Sequence, residues 1–159
     1  MDSGIRIHDS VINTFSEMKL LSTKSGRKFL RLCISEDGKH VIEDLQFDIQ
    51  QEKCEDKCED HFLNFLKHLR NDSACVLIYD VSYETKNSLI KEDLVFVQWC
   101  PDQAPRKERM QLTTTIRLLK EKLDGIKASF QLNSRDDISR VILAEKLGPD
   151  VVKVEGVAV

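Results

Sequence analysis

Two basic residues of this chain lie where they do not stabilise their own helix. The stretch Trp99-Cys-Pro-Asp-Gln-Ala-Pro-Arg-Lys-Glu-Arg-Met110 runs from the end of a predicted strand into a long amphipathic helix. Lys107 and Arg109 fall in the first turn of that helix, where the helix dipole leaves partial positive charge and disfavours cations. Charges in such a position indicate contact with an acidic partner, so the segment predicts a docking surface.

The same helix places apolar side chains beside these cations. At about 100° per residue, Met110, Thr114, Leu118 and Glu121 lie opposite the buried stripe of the helix. That stripe consists of Leu112, Ile116, Leu119, Leu123 and Ile126. Apolar anchors next to steering charges are what a helix needs to bind in a groove of another protein. The alternative is that Met110 and Leu118 are ordinary exposed apolar residues.

Catalytic chemistry finds little support in the sequence. There is no glycine-rich phosphate loop, no nucleophile elbow and no pair of carboxylates in an identifiable site. The histidines are scattered, at positions 8, 40, 61 and 68. We therefore expect a binding protein that is not an enzyme and needs no cofactor.

One cluster of metal-ligating residue types is present. Cys54, Cys58 and His61 lie within a short segment, and thiolate and imidazole are good zinc ligands. Structural zinc sites usually pair two such clusters, and the repeated Lys-Cys-Glu-Asp is equally typical of an exposed charged loop. We expect no metal, and a cysteine-based metal or redox protein stays as a remote alternative. Whether Cys54, Cys58 or Cys100 form disulfide-linked dimers is left open by the sequence.

The bulk composition narrows the class of protein. The chain has 159 residues, enough for one domain, with 24 basic and 27 acidic side chains and a net charge of −3. This balance argues against a general nucleic-acid binder. No segment has the length of a membrane span or the character of a secretion signal, and five cysteines lack framework spacing. We expect a cytoplasmic monomer without nucleic-acid binding or membrane insertion.

Alternating strand and helix patterns predict a single α/β domain that positions the docking helix. Strands are expected at 29–34, 40–45, 74–79, 93–99 and 128–132. Helices are expected from residue 9 or 10, around 62–69, at 106–124 with Gly125 as C-cap, and from Asn133 or Ser134 to 147. Residues 83–92 read as a polar connection. Residues 1–8 and 154–159 are expected to be flexible tails around a domain at 9–153.

Several short motifs occur in an order that resembles the actin-depolymerising factor/cofilin family. They are Leu77-Ile-Tyr-Asp-Val-Ser-Tyr-Glu-Thr-Lys86, Glu92-Asp-Leu-Val-Phe96, Trp99 with Pro101, Ala104-Pro105, Leu123 with Gly125-Ile-Lys127, and Leu143-Ala-Glu-Lys-Leu-Gly148. The opening Met-Asp-Ser-Gly is similar too. Each motif is weak alone, but their order and spacing from Ser3 to Gly148 are specific.

The resemblance implies an ADF-homology domain, a central mixed sheet with helices on both faces. It also implies binding to monomeric and filamentous actin, with preference for the ADP form, filament severing and faster depolymerisation. The actin-binding residues implied by the family motifs and the helix face are Ser3, Gly4, Lys107, Arg109, Met110, Thr114 and Leu118. Ser3 matches the family's regulatory serine, which implies a kinase and a phosphatase as further partners; phosphorylation would inhibit binding by adding about −1.5 to −2 charges.

A second, filament-specific contact is implied for Lys91, Glu145 and Lys146. The connection that carries Lys91 is a residue longer than in vertebrate cofilins. Coactosin-like relatives share the fold and bind filament sides without severing, so they form the alternative function.

Some family features are altered in this chain. Ile116 and Glu121 interrupt the basic cluster of Lys120, Lys122 and Lys127, so weaker phosphoinositide binding is expected. Ala128 replaces a histidine that makes some members pH-sensitive, which predicts a flatter pH response of severing. The nuclear import signal is reduced to Arg27-Lys28.

Overall fold

The centre of the molecule is a long antiparallel hairpin of β4 (Cys75–Thr85) and β5 (Ile90–Trp99). The computed structural model describes residues 5–20, 29–35, 37–43, 61–67, 69–70 and 72–159. Both strands are longer than predicted, and the expected connection at 83–92 shrinks to a turn at 86–89. The prediction was wrong because pairing continues past the apolar runs, as in Tyr83 opposite Lys91.

The other strands complete a mixed sheet. They are β1 (Arg6–Ile7), β2 (Phe29–Ile34), β3 (His40–Glu43), β6 (Ala128–Leu132), β7 (Val151–Val154) and β8 (Val157–Ala158). The strand order is β1-β3-β2-β4-β5-β6. β7 pairs with the part of β4 that follows the β2 pairing, and β8 pairs with β7. The β1–β3 and β5–β6 pairs are parallel, and the rest are antiparallel.

In the described part of the chain, four α-helices cover the two faces of this sheet: α1 (Asp9–Leu20), α2 (His61–Lys67), α3 (Arg106–Lys122) and α4 (Arg140–Leu147). Side chains alternate between the faces of a strand. In β4, Leu77 and Tyr79 therefore pack with α2 and α4, and Val76 and Ile78 pack with α1 and α3. The predicted fold class, a mixed sheet flanked by helices on both faces, is confirmed. Among the residues described, no helix is long and apolar enough to cross a membrane.

Two predicted helix boundaries need correction. The long helix ends at Lys122, and Gly125 is not its cap but adopts a positive φ of 81° in the following turn. Ser134 caps only a short 3-10 helix at Arg135–Asp137, and Ser139 caps α4. The single predicted helix is split because Ile138 is extended and buries its side chain in the core.

The ordered fold extends into both expected tails. Arg6 and Ile7 pair with β3, and Ile5 is buried. At the other end, Val154 is buried and the Glu155 carboxylate accepts a hydrogen bond of 2.7 Å from the Tyr79 hydroxyl. These long-range contacts anchor segments whose local sequence shows no strong pattern. Ser3, Gly4, Arg27, Lys28, Cys54 and Cys58 lie outside the described residues.

Candidate functional site

The start of α3 is held firmly by the core but carries no side-chain cap. Trp99, at the end of β5, is fully buried, and its indole N–H donates to the Arg70 carbonyl at 2.6 Å. The chain then turns through Pro101, and Pro105 occupies the N-cap position without a capping hydrogen bond. The first amide groups of a helix have no partner within the helix. They are therefore available to acceptors on a bound protein.

A shallow groove of about 450 Å³ follows this helix start. It is lined by Cys100, Arg106, Arg109, Met110, Thr113 and Thr114. The Met110 side chain is 59% exposed, which is high for a large apolar residue. The groove therefore combines an exposed apolar side chain with two guanidinium groups, the combination expected of a protein-docking site.

Arg109 and Cys100 are two of the residues that line this groove. Arg109 is half-buried, and its Nε atom has no hydrogen-bond partner among the described residues. Burial raises the pKa of the Cys100 thiol, and the charge of Arg109 only partly opposes that shift. The thiol is therefore protonated at neutral pH, and the positive charge of Arg109 is left for a partner to neutralise.

The threonines of α3 use their hydroxyl groups inside the helix. Thr113 donates to the Arg109 carbonyl and Thr114 to the Gln111 carbonyl, each at 2.8 Å. Thr115 bonds in the same way and is fully buried, so it belongs to the buried stripe that the sequence pattern assigned to apolar residues alone. Because the hydroxyl protons are already used, the exposed threonines offer the groove hydrogen-bond acceptors but no free donors.

A second, smaller cleft of about 190 Å³ lies between α3 and the β2–β3 turn. Lys107, Glu108 and Gln111 line its helix side, and Ser35 lies on the opposite wall. The turn lies close to the helix, since a Cβ atom added to Gly38 would lie 3.1 Å from the side-chain Nε2 atom of Gln111. Lys107 therefore faces a different depression from Arg109, although both belong to the same helix turn.

The structure brings together most of the docking residues that the sequence predicted. Arg109, Met110 and Thr114 share the groove, and exposed Lys107 lies beside it. Leu118 is half-buried and does not line the groove. The prediction missed Arg106 and Thr113, although their spacing from Met110, four residues before and three after, places them on one helix face.

The predicted filament contact lies at the opposite end of the sheet. Lys91 is exposed on β5, in a strand and not in a loop, and Glu145 and Lys146 are exposed in the last turn of α4. The Lys86 amide donates to the Asp150 carbonyl at 2.8 Å, which joins the β4–β5 turn to the chain after α4. From Lys91 to Trp99 the strand extends roughly 26 Å, at about 3.3 Å per residue.

The hydroxyl group of Tyr83 is fixed beside this surface. It donates to the Asp93 carboxylate at 2.5 Å, and burial, together with that carboxylate, raises the pKa of Tyr83. The Tyr83 side chain is itself buried, and its backbone pairs with Lys91 on β5 and with Val154 on β7. The end of the sheet is thus a stable platform for the exposed charges.

The basic cluster at the end of α3 has an evident structural role. The Lys120 Nζ atom lies 5.7 Å from the centre of the Phe96 ring, and exposed Lys122 ends the helix. Cations at a helix C-terminus interact favourably with the dipole. Lys127 is exposed in the turn before β6, outside the helix. Charge–dipole stabilisation accounts for Lys120 and Lys122 without a ligand.

Comparison with known proteins agrees with this architecture. Residues 4–148 match the family described as cofilin/tropomyosin-type actin-binding protein. The fold is similar to cofilin from Streptomyces griseoflavus (TM-score 0.69, 21% identity, 92% of this chain and 99% of that one). It is also similar to actin depolymerization factor 2 from Plasmodium berghei, with a TM-score of 0.70 and 19% identity over 92% of this chain and 99% of that one. Coactosin from Entamoeba histolytica is similar too, with a TM-score of 0.66 and 12% identity over 92% of this chain and 96% of that one. The family match covers most of the sequence, and the chain belongs to the cofilin/tropomyosin-type family of actin-binding proteins.

Proposed function

We propose that this protein binds monomeric and filamentous actin, prefers the ADP form, severs filaments and promotes their depolymerisation. The observation that carries the proposal is the start of α3, where exposed Met110 shares a groove with Arg106 and Arg109 at a helix end without a side-chain cap. Apolar side chains there would enter a hydrophobic cleft of actin, and the cations would meet acidic groups around it.

Severing follows from the separation of the two surfaces. Lys91 and Trp99, near the two ends of β5, are roughly 26 Å apart, and the α3 groove begins at Cys100 directly after Trp99, so one molecule can contact a subunit and its neighbour in the filament. Binding that changes the arrangement of the two subunits strains the filament at the edges of bound regions. Breakage at those edges is the proposed route to severing.

The alternative is a protein that binds filament sides without severing. It is favoured by the similarity to coactosin, whose TM-score of 0.66 lies close to the 0.69 and 0.70 of the two cofilin-type structures. Fold similarity thus does not separate the two functions. Fluorescence microscopy of single ADP-actin filaments, combined with co-sedimentation, tests them. We expect binding and frequent breaks; binding with no breaks would establish the side-binding alternative, and no binding would contradict both.

We also propose that phosphorylation of Ser3 controls this site. A kinase would add the phosphate and a phosphatase would remove it. Ser3 is only two residues from Ile5, so at most about 7 Å of chain separates them. Ile5 is buried, and the next amide, of Arg6, donates to the Lys39 carbonyl beside the β2–β3 turn. That turn lies beside α3 at Gln111, one helix turn after Lys107, which supports an electrostatic effect of a phosphate on this helix.

Ser3→Glu is expected to weaken binding to monomeric actin about tenfold. The added charge either repels acidic actin or pairs with Lys107 and removes it from the interface. Fluorescence anisotropy with labelled actin measures the change, and Ser3→Gln is the neutral control of the same size. Equal affinities for the two variants would show that charge at Ser3 does not regulate binding.

Lys120, Lys122 and Lys127 remain candidates for weak phosphoinositide binding. All three are exposed, but Arg117 pairs with Glu121 at 3.5 Å, so an acidic group lies within the basic patch. Repulsion between Glu121 and lipid phosphates supports the weaker binding that the sequence predicts.

A further inference from the structure

Two histidines from distant parts of the sequence lie side by side at the beginning of α1. His8 immediately precedes this helix, and His40 is the first residue of β3. The centres of their rings are 6.3 Å apart, and the ring planes are inclined by 74°. His8 is exposed and His40 is half-buried. The sequence pattern indicated scattered histidines and no metal, so it is the fold that creates this arrangement, which we call the histidine pair.

Backbone hydrogen bonds fix the positions of both residues. β1 runs parallel to β3, with Arg6 opposite His40. The Arg6 amide donates to the Lys39 carbonyl at 2.8 Å, and the His8 amide donates to the Val41 carbonyl at 3.0 Å. The two imidazole groups therefore start from backbone positions that the sheet holds together, and a ligand of both rings gains from this preorganisation.

The ring of His8 is oriented through one of its two nitrogen atoms. Its Nδ1 atom accepts a hydrogen bond of 3.1 Å from the Ser10 amide and lies 2.8 Å from the Ser10 hydroxyl oxygen. When Nε2 of a neutral imidazole binds a metal ion, the proton is on Nδ1, and here the Ser10 hydroxyl can accept it. Histidine ligands of metals usually donate their second ring N–H to such an acceptor. The exposed Ser10 amide then bonds to water instead.

The His40 ring forms no hydrogen bond with the described part of the chain. Each member of the pair thus has a ring nitrogen without a partner there, and neutral imidazole is a common ligand of Zn²⁺, Cu²⁺ and Ni²⁺. Two such nitrogens at about 2.0–2.1 Å from a tetrahedral ion place the ring centres roughly 5 Å apart. The exposed His8 side chain has room for the movement of about 1 Å that this requires.

The charged groups around the pair balance one another. Arg6 on β1 and Lys39 before β3 are exposed cations, and they oppose the binding of a metal ion. Asp9 and Asp37 are exposed carboxylates, and Asp37 accepts a hydrogen bond of 3.0 Å from the Lys39 amide beside His40. All four charges lie in water, where screening weakens each of them. The imidazole nitrogens, and not the local net charge, therefore determine whether a cation binds.

We propose that the histidine pair binds a divalent transition-metal ion, Zn²⁺ in particular, through one nitrogen of each ring. In the described part of the chain, no group of three or more histidine, cysteine, aspartate or glutamate side chains could hold a metal. The pair therefore supplies two ligands, and water completes the coordination. A bound ion links the beginning of α1 to β3 and strengthens the attachment of β1. This site is separate from the α3 groove and does not depend on the proposed function.

The test is a titration of the full chain with zinc chloride. The imidazole NMR signals of His8 and His40 are expected to shift together, and calorimetry measures the affinity. His8→Asn removes one ligand but keeps a side-chain acceptor for the Ser10 amide, because asparagine is a good N-cap residue. We expect the zinc affinity of this site to fall about tenfold or more. His40→Thr, which introduces a β-branched residue that suits a strand, is expected to give the same loss.

Arg6→Gln is the matched control, since it changes a neighbour of the pair without removing a ligand. Its zinc affinity is expected to equal or exceed that of the wild type, because an opposing charge is lost. Urea unfolding of each variant without zinc, followed by circular dichroism, establishes that folded proteins are compared.

Several results would overturn the proposal. Zinc that binds only at Cys54, Cys58 or His61 and leaves the signals of His8 and His40 unchanged would place the ion elsewhere. Equal zinc affinity of the wild type and His8→Asn would show that His8 is not a ligand. A loss in only one of the two histidine variants would indicate an adventitious contact with a single imidazole, and absence of zinc binding by the wild type would remove the site. Actin co-sedimentation is a separate measurement, so failure of the proposed function leaves this inference standing.

Discussion

Replacing Lys107 and Arg109 together by alanine is expected to weaken binding to monomeric actin by roughly 100-fold or more. Each hydrogen bond to a charged group contributes about 1.5–3 kcal/mol, and two lost contacts amount to about 3–6 kcal/mol. The substitutions do not lower the stability of the fold in the same way, because cations at a helix N-terminus interact unfavourably with the helix dipole. We therefore expect a free energy of unfolding within about 1 kcal/mol of wild type, measured by urea unfolding.

The matched control for this variant is Lys67→Ala/Arg70→Ala. It also removes two exposed cations, but from α2 and the residues after it, on the sheet face opposite α3. If binding depends on net charge alone, the two double variants will lose equal affinity. If it depends on the α3 groove, only Lys107→Ala/Arg109→Ala will lose it, and severing will disappear with binding. Unchanged affinity in that variant would contradict the assignment of the docking site.

Trp99→Ala is expected to lower the free energy of unfolding by about 3–5 kcal/mol, the range for truncating a buried tryptophan. The side chain is fully buried in the core shared with α2 and α4. Its indole N–H is also the hydrogen-bond donor to the Arg70 carbonyl, which would be left without that partner. For a domain whose total stability is about 5–15 kcal/mol, this is a large fraction.

Trp99→Phe separates the two causes of that loss. Phenylalanine fills much of the cavity but lacks the N–H donor, so we expect a cost of about 1–3 kcal/mol for the unpaired carbonyl, plus a small packing loss. Circular dichroism is the appropriate probe during urea unfolding, because Trp99 is the single tryptophan of the chain. A cost below about 1 kcal/mol for Trp99→Ala would show that this region of the core is not part of the cooperative fold.

Elements with strong side-chain periodicity were predictable from the sequence. The predicted strands 29–34 and 128–132 coincide with β2 and β6, and α3 begins at Arg106 as expected. In these segments the local pattern and the final environment agree, because one face of each element is buried and the other is not. The exposure of Met110 and Thr114 on α3 could be predicted for the same reason.

Boundaries that depend on distant residues were not predictable. The polar residues 82–84 are part of a strand because they pair with β5. Tyr83 and Glu84 also pair with β7 on the other side. The split before α4 follows from burial of Ile138, and its one local signal is Ser139, a residue type that caps helices. Local propensity is weak in such places, so tertiary contacts decide the conformation.

The sequence by itself determined the α/β class, the family and the cationic, apolar character of the docking helix. These properties depend on residue type and on spacing within single elements. Only the tertiary structure decided that Arg109 and Lys107 face different depressions, that Leu118 lies outside the groove, and that Leu89 and Ile90 are exposed where β4 turns into β5. Each of these depends on which distant segments pack around a side chain, and that packing is a property of the whole fold.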